Sequence, residues 1–145
     1  MSQLTISPAQ TNDTDTIRRL LIDARLPSED FAKHIHFFLV AEQDSTVVGV
    51  VGLEVHGDAG LLRSLVVDGA YRGHGLGTQL CNRLCDSAQA AHIKTLYLLT
   101  TTASGFFPKL GFVETQRSAA PPAIQASEEF SSICPSTAVC MTKAL

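Results

Sequence analysis

Gly73, Gly75 and Gly77 alternate with His74 and Leu76 in "YRGHGLG", Tyr71–Gly77. An apolar run, "LLRSLVV", precedes this stretch, and a leucine-spaced segment, "TQLCNRLC", follows it. Strand, glycine turn and helix in that order form a cradle for phosphate. Glycine lets the backbone approach the anion, and the amides at the helix N-terminus aim donors and a positive dipole end at it. Arg72 adds a charge beside the turn.

Spacing excludes two common cradles. A P-loop requires G-x-x-x-x-G-K-[ST], whereas no lysine is present here and Gly77 is followed by Thr78 and Gln79. The dinucleotide fingerprint requires G-x-G-x-x-G on the first strand–helix turn, with an acidic residue about 20 positions on. Here the glycines read G-x-G-x-G, four predicted strands precede them, and too little chain follows for a doubly wound sheet.

A second pair of residues with chemical potential lies just upstream. "TVVGVVGLEVH", 46–56, and "LLRSLVVD", 61–68, read as strands separated by "GDAG", Gly57–Gly60. A two-residue loop at Asp58-Ala59 would set Glu54 opposite Arg63 on one sheet face. A carboxylate and a guanidinium then meet shortly before the phosphate turn. Glu54 reads as a general base, an ammonium holder or a structural partner of Arg63. His34, His36, His56 and His74 are further bases, of which only His56 lies near the cleft in this register.

The remaining elements must position these groups. "LTISPA" is a first strand, and Ile17, Leu20, Leu21 and Ala24 mark a helix capped by Asn12 or Asp13. Ser28-Glu29-Asp30 opens a second, shorter helix to about Ile35, and Phe37 to Gln43 is a strand ending in turn residues Asp44-Ser45. Gly49 and Gly52 hint at bulges or close approach. Leu76, Leu80, Leu84 and Ala88 mark a helix over 75–91, and 94–101 is a strand, so strand 61–68, helix and strand 94–101 form a right-handed βαβ unit. A short helix at 103–110, a strand at 111–117, a long loop with a turn or two of helix, and a strand at 138–145 complete the chain. The expected fold is α/β of the α+β type, with a mixed, mostly antiparallel twisted sheet, helices on both faces and a central parallel strand pair.

The span "LVVDGAYRGHGLGTQL" resembles the acetyl-CoA signature of the GCN5-related N-acetyltransferase superfamily, R/Q-x-x-G-x-G/A, as Arg72, Gly75 and Gly77. "LYLLTTTASGFFPKLGFVE" resembles its next strand and the helix ending in Gly-Phe, here Gly111-Phe112. The resemblance implies one acetyltransferase domain over 1–145, with acetyl-CoA as co-substrate and no metal. It implies donor contacts from Leu65, Val66 and Val67 on the strand, from Arg72, Gly73, His74, Gly75, Leu76, Gly77 and Thr78 at the turn, and from Phe107. It further implies direct attack of an acceptor amine on the thioester, helped by a backbone N–H near Leu65–Val67 worth roughly 3 kcal/mol to the transition state. Two positions depart from the common pattern: Leu61 stands where many members carry glutamate, and Phe107 where many carry tyrosine. A thiolate leaving group, its thiol having a pKa near about 8.5, departs without an acid.

On the acceptor side, Arg63 in an apolar cleft suits a carboxylate or similar oxyanion. With Glu54 for the ammonium, and with Ser64, Thr100, Thr101 and Thr102 as polar lining, the site reads as one for an amino acid. "LLTTTASGFFPKLGF" with "R…PPAI…EFSSICPSTAVCM" is similar to the small acetyltransferases of bacterial arsenic-resistance clusters, and more loosely to the acetyltransferase domain of N-acetylglutamate synthases. These resemblances imply a glutamate-like acceptor, arsenical, phosphinic or glutamate itself. An acetyl-CoA sensor without chemistry and a thiol-based arsenical binder are the alternatives.

Composition is consistent with this assignment. A chain of 145 residues is one domain's length, and 45% hydrophobic with 17% charged residues is a globular balance. A net charge of -3 offers no general attraction to nucleic acid or anionic membrane. The polar N-terminus and the absence of a long apolar run point to a cytoplasmic protein. Cys81, Cys85, Cys134 and Cys140 form no C-x-x-C pair and read as buried thiols. Assembly, as monomer or homodimer, is left open.

Overall fold

The computed structural model describes residues 4–26, 28, 30–73, 75–100, 105–127, 130 and 138–145. Its strands are β1 (Leu4–Pro8), β2 (Leu39–Gln43), β3 (Thr46–His56), β4 (Ala59–Val67), β5 (Thr95–Thr100), β6 (Val113–Thr115) and β7 (Val139–Ala144). They hydrogen-bond in the order β1-β2-β3-β4-β5-β7-β6. β4 and β5 run parallel, whereas β1–β2, β2–β3, β5–β7 and β6–β7 are antiparallel. The α-helices are α1 (Thr14–Asp23), α2 (Leu76–Ala90) and the single turn α3 (Pro122–Gln125). This is the mixed sheet expected from the sequence. Among the described residues, no helix is long and apolar enough to cross a membrane.

The chain divides into two compact units, and β3, β4 and α2 each pass from one into the other. The first comprises Met1–Leu53 and Ser64–Leu84. Its meander turns at Asp44 and Ser45, both at positive φ (53° and 65°), the pattern of a type I′ hairpin whose twist matches the strands. α1 buries Ile17 and Leu21 against Phe31, Phe38, Val40, Val50 and Val66. The second predicted helix forms instead as a 3-10 segment, Phe31–Phe37, with Asp30 at its cap. "FAKHIHF" is short and rich in aromatic and histidine residues, which are weak α-helix formers; one-sided burial of Phe31 and Ile35 is what holds it.

Gly52 sits mid-strand because the Phe38 ring covers it: a Cβ there would lie 2.2 Å from Phe38 Cζ. Gly49 serves α2 in the same way, since a Cβ would come within 3.1 Å of Leu80 Cδ1. Both glycines are sites of close approach.

The second unit comprises Glu54–Arg63 and Cys85–Leu145. Its β3–β4 loop corrects the sequence reading, because the turn is Gly57-Asp58 rather than Asp58-Ala59. Gly57 takes φ +68°, which favours glycine at the first loop position as in a type II′ turn. Lys94 N–H donates to Asp58 O at 2.7 Å and ties the loop to the start of β5. β4 pairs with β5 over three residues, Ala59–Leu61 with Thr95–Tyr97. Ala120, Ile124 and Phe130 then cover Ala59, Leu61 and Cys140, with Tyr97 and Leu99 at the margin.

Gly52→Ala should lower stability by about 1–3 kcal/mol, read as a reduced urea midpoint at unchanged m-value, because the Phe38 ring leaves no room for the methyl group. Adding Phe38→Leu should recover part of the loss; strict additivity of the two changes would show that the ring is not the obstacle.

Candidate active site

Within the first unit, β4 ends at Val67 and the chain folds at once into a tight turn. Asp68 N–H donates to Val48 O at 2.8 Å, and Asp68 Oδ1 accepts from Ala70 N–H at 3.0 Å. Arg72 Nε donates to Val67 O at 3.1 Å, which fixes an otherwise exposed guanidinium against the strand end. Gly73 and Gly75 take φ +82° and +79°, and a Cβ on either would meet nothing within 4 Å. Backbone conformation, not crowding, therefore demands glycine here, and the space beside the turn is open.

α2 begins at Leu76, and Gln79 N–H donating to Gly75 O is its first bond. The amides of Leu76, Gly77 and Thr78 precede the helical ladder, as the first N–H groups of any helix do. Leu76 and Leu80 lie over Gly49, which seats this end of the helix. Turn, open space and early amides fit an anion such as a pyrophosphate. His74 lies outside the described residues.

In the second unit, Glu54 is 2% exposed and Arg63 equally covered. Arg63 Nη1 donates to Glu54 Oε2 at 2.6 Å, and Glu54 Oε1 lies 3.1 Å from His56 Nε2. The structure thus brings together the predicted pair despite the displaced loop. A two-residue loop at Gly57-Asp58 sets His56 across from Ala59, a register two residues from the expected one. Because side chains alternate with period two, an even shift keeps each residue on its face and turns the pairing into a diagonal one. Glu54 then stands across from Leu61, the position that the resemblance gives to a glutamate.

The other expected residues are distributed as follows. Ser64 is buried with φ +62°, a left-handed conformation unusual for a non-glycine residue within a strand. Nothing in its residue type announces this. Leu65 and Val67 are half-buried, and Val66 packs into the first unit's core. Phe107 is buried edge-to-face against Phe106 and Phe112, at 5.1 and 5.6 Å between ring centres. Thr100 is half-buried; Thr101, Thr102 and Cys134 lie outside the described residues. Cys81, Cys85 and Cys140 form no disulfide. Burial pushes the Cys85 and Cys140 thiols up, opposed by Lys143 and Arg117 respectively, so both favour the unreactive protonated form at neutral pH.

A family model described as an acetyltransferase (GNAT) domain matches residues 34–114, more than half of the chain. The chain belongs to this family. Curated relatives of this GNAT domain include the amino-acid acetyltransferases of Pseudomonas fluorescens and Azotobacter vinelandii, each 33% identical over 90 residues. That match takes in 61% of the chain but 21% of each relative, so the chain matches about a fifth of their length. Among solved structures, N-acetylglutamate synthase from Neisseria gonorrhoeae, complexed with coenzyme A and N-acetyl-glutamate, superposes with a TM-score of 0.85 at 21% identity, covering 99% of this chain and 35% of that one. Rv2747 from Mycobacterium tuberculosis, in complex with CoA, matches over 97% of this chain and 99% of its own, at 25% identity and a TM-score of 0.82. The fold of the GNAT domain is thus common to all three proteins.

Arg63→Leu alone should cost about 3–5 kcal/mol, since it removes the charge partner of a buried carboxylate, whereas Glu54→Leu with Arg63→Leu should recover most of that loss. Urea denaturation of the two variants distinguishes a coupled buried pair from independent contacts.

Proposed function

We propose that the chain transfers an acetyl group from acetyl-CoA to the amine of a small amino acid, glutamate or a glutamate analogue, with Glu54 as the base. The observation that carries this reading is a buried carboxylate on β3, the strand beside the usual base position on β4, held by Arg63. The amino-acid acetyltransferase relatives, and the N-acetyl-glutamate bound to the Neisseria enzyme, support the choice of acceptor.

In this reading the turn from Arg72 to Thr78 holds the pyrophosphate of the donor, and backbone groups of Leu65–Val67 bind its amide-bearing arm as an added strand would. Acetyl-CoA supplies an activated acyl group. Glu54 accepts one N–H proton of the acceptor ammonium. The freed nitrogen bonds to the acyl carbon, a backbone N–H in Leu65–Val67 steadies the oxygen as charge builds on it, and the carbon–sulfur bond breaks as the nitrogen gives its second proton to water, which returns one to the thiolate. The coenzyme leaves as thiolate and takes a proton from water, so Phe107 in place of tyrosine costs no obligatory step. Arg63, fully covered, keeps Glu54 oriented and supplies a positive field for the carboxylate of the acceptor.

Amine-dependent release of coenzyme A thiol, followed with a chromogenic disulfide, tests the reaction. Glutamate, phosphinothricin and an arsenic-containing glutamate analogue should respond, and aminoglycosides should not; acetyl-CoA binding without release for any amine would make the chain a sensor instead. Glu54→Gln should lower kcat by about 10²–10⁴-fold while leaving the KM for acetyl-CoA near its starting value. Gly75→Val should weaken acetyl-CoA binding at least about tenfold by calorimetry, because a β-branched residue resists φ +79° and its side chain enters the space left for the anion.

A further inference from the structure

Glu54 is almost completely buried, so a proton taken there needs a way out. Arg63, which is bonded to it, cannot serve, because a guanidinium does not give up its proton in the working range of a protein. His56 can. Its Nε2 lies 3.1 Å from Glu54 Oε1, and its side chain is 21% exposed, against 3% for that of Glu54. It occupies the last position of β3, beside the Gly57-Asp58 loop, and its Nδ1 makes no hydrogen bond among the described residues. Imidazole is also the side chain whose charge changes most readily near neutral pH, and it can take a proton on one nitrogen and release one from the other.

We infer that His56 is the proton exit for Glu54, carrying the proton of the acceptor from the buried carboxylate to solvent. The inference rests on the assignment of Glu54 as base. An N–H proton of the ammonium passes to the Glu54 carboxylate as the acceptor nitrogen is freed. Glu54 hands it to His56 Nε2, which restores the carboxylate and leaves an imidazolium hydrogen-bonded to it. The imidazolium loses its Nδ1 proton to water or to a buffer base, and the partly exposed ring re-equilibrates between its neutral tautomers in water. No electron moves, and one proton leaves per acetyl group transferred. Arg63 remains charged throughout and keeps the carboxylate aligned with the ring.

The test uses His56→Ala in the full chain, with thiol release measured at saturating substrates and low buffer concentration. The variant should bind acetyl-CoA as the wild type does, which shows that it is folded. Its kcat should fall on the order of 10²-fold with both KM values little changed, and added free imidazole should restore much of the rate along a saturating curve while leaving the wild type unaffected. A merely structural role for His56 would not be repaired by imidazole in solution. His56→Asn, which keeps a donor toward Glu54 but cannot take up a proton and pass it on, should stay slow. Wild-type rates in either variant, or a slow His56→Ala that imidazole does not accelerate, would overturn the exit role while leaving the acetyltransferase reading intact. Loss of that reading has a separate signature: a wild-type chain that binds acetyl-CoA but releases no thiol with any amine removes both.

Discussion

A carboxylate and a guanidinium bonded at 2.6 Å inside the protein set the conditions that the rest of the second unit must meet. Withdrawing either charge from water costs several kcal/mol, and only a short, well-aligned partner offsets the cost. Alignment here depends on the hairpin: Gly57 at positive φ makes a two-residue loop, the loop fixes the register, and the register places Glu54 and Arg63 on one face. Apolar residues of similar size would fill the same volume with equal or better stability. A buried ion pair is therefore weak evidence of a stabilising device, which leaves room for the chemical role proposed for Glu54.

β4 carries the consequences of that pair toward the phosphate turn. Its first residues, Ala59–Leu61, pair in parallel with β5; Arg63 follows, then Ser64 at φ +62°, then Leu65–Val67 and the turn. A non-glycine residue in the left-handed region costs of order 1 kcal/mol or more and persists only where its surroundings enforce it.

Much of this was legible in the sequence, for reasons that differ by element. The need for glycine at 73 and 75 was legible because both take positive φ, which demands a particular residue type. β3 was legible to the residue, and α2 to within a residue at each end, because long apolar periodicity dominates them. The 3-10 segment Phe31–Phe37 was misread as a helix, since its form follows from how Phe31 and Ile35 pack and not from local preference. The hairpin loop was misplaced by one residue, although Gly57 followed by Asp58 already carried the glycine-first signal of a type II′ turn. Ser64 gave no signal of its left-handed backbone, and Arg63 gave none that its side chain would be wholly enclosed.

The misplaced loop nevertheless led to the right neighbours, and the reason bears on how the base is found. Moving a two-residue loop by one position shifts cross-strand register by two, and a pleat of period two returns every side chain to its original face. What changed was the residue across from Glu54, which became Leu61 in place of Arg63. Leu61 is where the family resemblance leads one to look for a glutamate, and from β4 alone the site reads as lacking one. Across the ladder, Cβ atoms lie only about 5 Å apart, so a carboxylate on β3 reaches the volume that one on β4 would occupy. A base is defined by where its oxygen lies relative to the acceptor nitrogen, and two adjacent strands can deliver an oxygen to that place. Leu61 therefore does not argue against chemistry in this chain. On the proposed reading the carboxylate is supplied one strand away, by Glu54 on β3.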